Sequence, residues 1–173
     1  MPDRPKRKIR FQFLDWLLEF SGLIVVVSTI LLHIFQYPDL PDIIPTHFDG
    51  SGVPNSFDHK SELFPVLIIN VIAFVVLSSL GFYPEIMNYP ITITEANAES
   101  QYRLMTRFLR FFKLMVCVLF GAMQYLTILI AKKEMNVIPV WLMPAFLGLI
   151  AVSIGIYWLM AKKLDQTQSV LHS

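Results

Sequence analysis

Four apolar segments occupy most of the chain and constrain its fold more than any other feature. They cover residues 14–36, 63–83, 108–131 and 138–160. Each reaches the roughly 20 residues that an α-helix needs to cross about 30 Å of hydrocarbon. Charged residues make up 16% of the chain, whereas soluble domains contain about 25%. We therefore predict an all-α integral membrane protein: a four-transmembrane-helix bundle forming one membrane domain over residues 1–173.

The first apolar segment follows a basic stretch, residues 1–13, and so resembles the start of a signal peptide. Its apolar run is longer than a signal-peptide core, and the residues from Gln36 to Asp39 are not the small residues of a cleavage site. We predict that the segment is a retained helix and that residues 1–13 are a cytoplasmic tail.

Lysine and arginine residues are distributed unevenly between the connections. With the N-terminus inside, eleven of them lie on the inner side and three on the outer side. The outer three are Lys60, Lys132 and Lys133. Because positive charge accumulates in cytoplasmic connections, this asymmetry predicts that both chain ends are cytoplasmic. Residues 37–62 would then form an outer loop, and residues 84–107 a cytoplasmic connection.

The cytoplasmic connection divides into two parts. Pro84 and Pro90 disfavour helix in the first part. Thr92 and Glu95 match a capping box, which predicts a helix that runs on into the third segment. The basic residues placed near the inner headgroups are Arg103, Arg107 and Arg110. They are interpreted as anchors that fix the depth of the helix, and a site for anionic lipid or a regulator is the alternative.

Polar residues within the apolar segments are costly unless they are paired. Asp15 and Glu19 share one face of the first helix, where the basic tail or Lys162 could neutralise them; a proton or ion pathway is the alternative. Asn70 and Gln124 lie deeper and predict hydrogen bonds between helices. A further interpretation concerns packing: a stripe of small residues in the fourth segment favours close approach of another helix. The stripe consists of Gly148, Ala151 and Gly155.

The outer loop, residues 37–62, carries the most specific sequence pattern. Four prolines and two glycines predict a constrained, ordered loop. Five acidic residues against one lysine give it a formal charge of −4 with histidines neutral. Imidazole and carboxylate ligands suit zinc and similar ions, and the candidate ligands are His33, His47, Asp49 and His59. Recognition of an extracellular peptide or protein through negative charge, Phe48 and Phe57 is a second interpretation. Simple tethering of the loop to the helix ends is a third, and it is compatible with the second.

The loop motif resembles a known family of bacterial membrane proteins, the domain of unknown function 1648. The matching positions are Pro45, His47, Phe48, Asp49, Gly52, Pro54 and Lys60. Phe57 stands where tryptophan is common, and His59 stands where a small residue is common. The resemblance extends over about residues 20–80. It implies a multi-pass protein of the bacterial cytoplasmic (inner) membrane. It also implies a relation to the N-terminal part of SdpI-type toxin-immunity and signalling proteins.

These patterns define the functional hypotheses. The first is a sensor, immunity-like or accessory protein that uses its outer loop for recognition. The second is an outer-surface metal-binding protein or metal-dependent enzyme, with His47 and Asp49 as base and partner. The third is a small transporter or transporter subunit that uses Asp15, Glu19 and Asn70. No complete catalytic constellation is present in the sequence, so we expect no enzymatic activity and no cofactor, with a divalent metal as the alternative. The lipid bilayer is one expected partner. A second is either an extracellular peptide or toxin, or a cytoplasmic regulator. Nucleic acid is not expected, and assembly into a homo-oligomer is an open alternative.

Overall fold

The computed structural model describes residues 4–171, with side chains described for residues 4–167. Its long elements are helix α1 (Phe13–Gln36), strands β1 (Ile43–Phe48) and β2 (Pro54–His59), and helices α2 (Leu63–Leu80), α3 (Ala98–Ala131) and α4 (Leu142–Leu171). Short 3₁₀ turns occupy Tyr37–Asp39, Lys60–Glu62 and Pro84–Ile86. The four helices are long and apolar enough to cross a membrane. The predicted four-helix membrane fold is therefore confirmed.

Helix α3 lies at the centre of the bundle. It packs against α1, α2 and α4, and α1 also contacts α2. The 34 residues of α3 form one continuous helix, as expected for a helix that begins before the third apolar segment and runs on into it. We call the end of the bundle that carries β1 and β2 the hairpin end. The other end, which carries residues 4–12 and 84–97, is called the terminal end.

The start of α3 differs from the predicted capping box at Thr92 and Glu95. The helix begins at Ala98, and Thr94 and Asn97 exchange hydrogen bonds in the turn before it. The Asn97 side chain also donates to Asp165 Oδ1 of α4 at 2.9 Å. The prediction was wrong because the Asn97 amide, which joins this turn to α4, replaces the reciprocal Thr–Glu pair.

Close helix approach also occurs at an unexpected place. A Cβ atom added at Gly148 or Gly155 would meet no heavy atom within 4 Å, so no described part of the chain packs on the small-residue stripe. A Cβ atom at Gly121 of α3 would lie 2.8 Å from Thr29 Oγ1 of α1. The predicted packing role of the stripe is thus wrong within this chain, and the tight contact lies between α1 and α3.

The loop of residues 37–62 contains the only β-structure among residues 4–171. Strands β1 and β2 pair antiparallel, from Ile43 opposite His59 to Phe48 opposite Pro54, with irregular register around His47. The loop was predicted to be ordered but not to contain strands. We call residues 43–59 the hairpin. Its inner side packs on the bundle through Ile44, which belongs to a buried cluster with Leu40, Leu63, Ile128 and Ala131.

Candidate functional site

The hairpin tip is organised by the side chain of Asp49. Its Oδ1 atom accepts hydrogen bonds from the Ser51 backbone N–H at 2.9 Å, the Ser51 hydroxyl at 2.7 Å and the Val53 N–H at 3.0 Å. Asp49 N–H in turn donates to Val53 O at 2.9 Å. The Ser51 hydroxyl and the Val53 N–H stabilise the carboxylate and lower the pKa of Asp49 from its ordinary value. Asp49 therefore closes the turn.

Gly52 joins this tip to the connection between α3 and α4. Its φ is +80°, in the left-handed region that glycine adopts without strain. Its carbonyl accepts a hydrogen bond from the Ile138 N–H at 2.9 Å. A Cβ atom at Gly52 would lie 2.0 Å from Ile138 O. Glycine is required here because the two backbones touch.

Lys60 fastens the base of the hairpin. Its Nζ donates to Leu40 O at 3.1 Å and lies 3.3 Å from Asp42 Oδ1. The same Nζ sits 5.2 Å from the centroid of the Tyr37 ring, within cation–π range. Lys60 N–H also donates to Asp42 O at 2.8 Å. One side chain thus connects the end of β2 to the turn that follows α1.

Other motif residues are exposed on the hairpin. His47 Nδ1 lies 2.5 Å from Asn55 Oδ1 on the opposite strand. Phe57 is 58% exposed and lies opposite the buried Pro45. Phe48 is only half-buried and pairs with Pro54, so it contributes less free surface than expected. The exposed side of the hairpin therefore presents His47, Asn55 and Phe57 on a fixed frame.

The candidate metal ligands are not brought together. Among residues 4–171, no group of three or more His, Cys, Asp or Glu side chains is placed to hold a metal ion. His59 Nδ1 interacts with Ser61 Oγ at 2.9 Å. His33 is buried in the bundle, where its Nδ1 lies 2.7 Å from Gln124 Nε2. His33 and Gln124 form an interhelical hydrogen bond, as predicted for Gln124.

Comparison with known families identifies this region. Residues 23–72 match the model of a family described as Domain of unknown function (DUF1648). This segment is similar to that family, and we call it the DUF1648 domain. The domain comprises most of α1, the whole hairpin and the first half of α2. No curated protein and no solved structure matches the chain.

The DUF1648 domain is completed by residues outside the matched segment. Ile138 holds the hairpin tip, and Ile128 and Ala131 of α3 belong to the buried cluster that contains Ile44 of β1. Asn70, near the middle of α2, donates a hydrogen bond to Cys117 O of α3 at 3.5 Å. An interhelical hydrogen bond was predicted for this residue. The motif residues Asp49, Gly52 and Lys60 set the shape of the domain and its seat on α3 and the following connection.

A second polar cluster lies at the terminal end, outside the DUF1648 domain. Asp15 is 1% exposed, and its Oδ1 lies 3.2 Å from Arg107 Nε and 3.3 Å from Arg110 NH1. Glu19 Oε1 lies 2.6 Å from Lys113 Nζ, and Glu19 Oε2 lies 3.7 Å from Arg110 Nε. We call these five residues the ion network. It joins α1 to α3.

The ion network corrects two predictions. Asp15 and Glu19 are neutralised by α3, not by the basic tail or by Lys162, whose Nζ instead lies 3.6 Å from the Trp158 ring centroid. Arg110 is buried with them and therefore is not a headgroup anchor. Lys113 is fully buried, and its role was missed although its spacing from Arg110 places both on one helix face.

Proposed function

We propose that the protein is a recognition protein of the bacterial cytoplasmic membrane, whose hairpin binds a cationic polypeptide at the outer face. The observation that carries this proposal is the exposure of Phe57 on a locked frame. The hairpin is shaped by contacts of Asp49, Gly52 and Lys60. Phe57, by contrast, is 58% exposed. An exposed aromatic on a rigid, polar surface is a typical anchor for a protein partner.

Charge indicates the chemistry of the partner. The loop of residues 37–62 has a formal charge of −4. Its one lysine, Lys60, is already engaged by Asp42 and the Leu40 carbonyl. The acidic side chains of Asp39, Asp58 and Glu62, in the same loop, are exposed. A positively charged partner is therefore attracted to this surface and a negatively charged one is repelled.

The proposed role is that of a sensor, an immunity-like protein or an accessory protein. The motif resemblance to SdpI-type proteins supports an extracellular peptide or toxin as the ligand, with a cytoplasmic regulator or a second copy of the chain as further partners. Transport is less well supported because Asp15 and Glu19 are paired with cations of α3. The metal-site hypothesis is not supported by any group of metal-ligating side chains among the described residues.

Recognition at the outer face requires that the hairpin faces outwards, which the eleven-to-three distribution of basic residues supports. We expect a membrane-impermeant maleimide to label Gly50→Cys in intact protoplasts. Lys6→Cys, in the basic tail, should be labelled only after permeabilisation. The native Cys117 is buried and gives no background. Labelling of Lys6→Cys and not Gly50→Cys in intact protoplasts would reverse the orientation.

Binding can be measured with defined peptides. The protein is placed in zwitterionic phosphatidylcholine nanodiscs and titrated with a fluorescent leucine–lysine peptide or with its leucine–glutamate counterpart. We expect the lysine peptide to bind more tightly than the glutamate peptide. Phe57→Ala should weaken binding of the lysine peptide by about tenfold, since loss of a central aromatic anchor typically costs 1–2 kcal/mol or more.

Phe82→Ala is the matched control, because Phe82 is an aromatic residue of similar exposure (67%) at the terminal end. It should leave binding unchanged. The proposal fails if both phenylalanine variants bind the lysine peptide as the wild type does, or if empty nanodiscs retain the peptide equally well.

A further inference from the structure

A groove opens between α1 and α4 at the terminal end, and α3 forms its floor. Its volume is about 940 Å³, at the upper end of the range for sites that bind small molecules. The apolar side chains that line it include Leu14, Leu18, Leu104, Phe111, Ile156 and Met160. It arises because α1 and α4 both pack on α3 and leave a gap between them.

The groove changes from polar to apolar along its length. The part of the groove nearest the terminal end is lined by Glu99, Arg103 and Arg107. The part nearest the middle of the same helix is lined by Phe111. With a rise of 1.5 Å per residue, the distance from Glu99 to Phe111 along α3 is about 18 Å. Ile156, on the antiparallel helix α4, lines the apolar side. This gradient matches a molecule with an anionic head and a hydrocarbon tail.

The charged end has donors for a phosphate. Arg103 NH2 lies 3.0 Å from Glu99 Oε1, and Arg107 Nε lies 3.2 Å from Asp15 Oδ1. Each guanidinium has five N–H donors. Within residues 4–171, the hydrogen bonds of each of these two arginines use two of them. The other N–H donors can bind a phosphate, because the planar guanidinium fork matches phosphate oxygens.

We propose that this groove holds one anionic phospholipid from the leaflet at the terminal end. Its phosphate lies at Arg103 and Arg107, and an acyl chain lies against Phe111 and Ile156. A lipid fits better than a soluble anion because the apolar wall continues into the exposed, membrane-facing side of α4. The inference does not depend on the role of the hairpin, which lies at the other end of the bundle.

Native mass spectrometry of the delipidated protein tests the site. Phosphatidylglycerol and phosphatidylcholine with identical acyl chains are added separately. We expect one tightly bound phosphatidylglycerol and weaker binding of phosphatidylcholine. Arg103→Gln should weaken phosphatidylglycerol binding by about fivefold, the effect of one arginine near an anionic headgroup. It should weaken phosphatidylcholine binding less, because the choline cation offsets the charge of the phosphate. Ile156→Trp should fill the groove and reduce binding of both lipids.

Two matched variants separate the groove from the rest of the surface. Lys163→Gln removes an exposed basic residue at the same end, and Ile154→Trp enlarges an exposed residue of α4 that does not line the groove. Both should bind lipid as the wild type does. Equal affinity for the two lipids in the wild type and in Arg103→Gln would overturn the proposal. A dimer that Ile156→Trp dissociates would also overturn it, by assigning the groove to a second copy of the chain.

Discussion

Replacing Gly52 by alanine is expected to lower the free energy of unfolding by about 2 to 4 kcal/mol. The new Cβ atom would lie 2.0 Å from Ile138 O, so the two backbones must separate. The Ile138 N–H to Gly52 O hydrogen bond is then lost. A left-handed φ of +80° adds further strain for any residue with a side chain. Amide exchange should speed up at Ile138 and around the hairpin tip, together with a lower thermal midpoint.

Gly50→Ala provides the control within the same turn. A Cβ atom at Gly50 would meet no heavy atom within 4 Å, and its φ is not in the left-handed region. This substitution should change the free energy of unfolding by no more than about 0.5 kcal/mol. Equal destabilisation by the two alanines would mean that the contact with Ile138 does not hold the hairpin.

The membrane fold could be predicted from the sequence because it rests on length and hydropathy, which are properties of single segments. The hairpin could not, because its strands carry contrary local signals. Pro45 lies inside β1, where proline normally argues against a strand, and β2 is mostly polar. Pairing is decided instead by the Asp49 turn and by burial of Ile44 on the bundle. That burial depends on contacts between distant parts of the chain.

The candidate site, like the fold, could be predicted from the sequence only in part. The motif positions Asp49, Gly52 and Lys60 could be selected from the sequence, but their contacts with Val53, Ile138 and Leu40 could not. The ion network was partly visible, since Asp15 and Glu19 lie on one face of α1. Its cationic half was hidden because positive charges near a membrane boundary are ordinarily counted as topology signals. Whether a cation faces lipid headgroups or a neighbouring helix depends on packing.

Replacing Lys113 by methionine is expected to cost about 3 to 5 kcal/mol of the free energy of unfolding, as is typical when one partner of a buried ion pair is removed. Lys113 is fully buried, and its Nζ lies 2.6 Å from Glu19 Oε1 and 2.8 Å from Ser78 Oγ. Methionine fills similar space but removes the cation closest to Glu19. The carboxylate keeps a neutral hydrogen bond from the Ser78 hydroxyl at 2.8 Å and the longer contact to Arg110 at 3.7 Å. The loss of stability can be measured by reversible unfolding in bicelles, with steric trapping used to monitor the unfolded state.

The double variant Glu19→Met/Lys113→Met tests the physical cause. It removes both charges, so no unpaired carboxylate remains and most of the stability should return, to within about 1 kcal/mol of the wild type. Arg7→Gln is the control for an exposed pair, because Arg7 and Glu95 are both solvent-exposed and their interaction contributes at most about 0.5 to 1 kcal/mol. If Lys113→Met costs as little as Arg7→Gln, the ion network does not hold α1 against α3. If the double variant is as unstable as the single one, the loss comes from packing around Lys113, and charge pairing is not its cause.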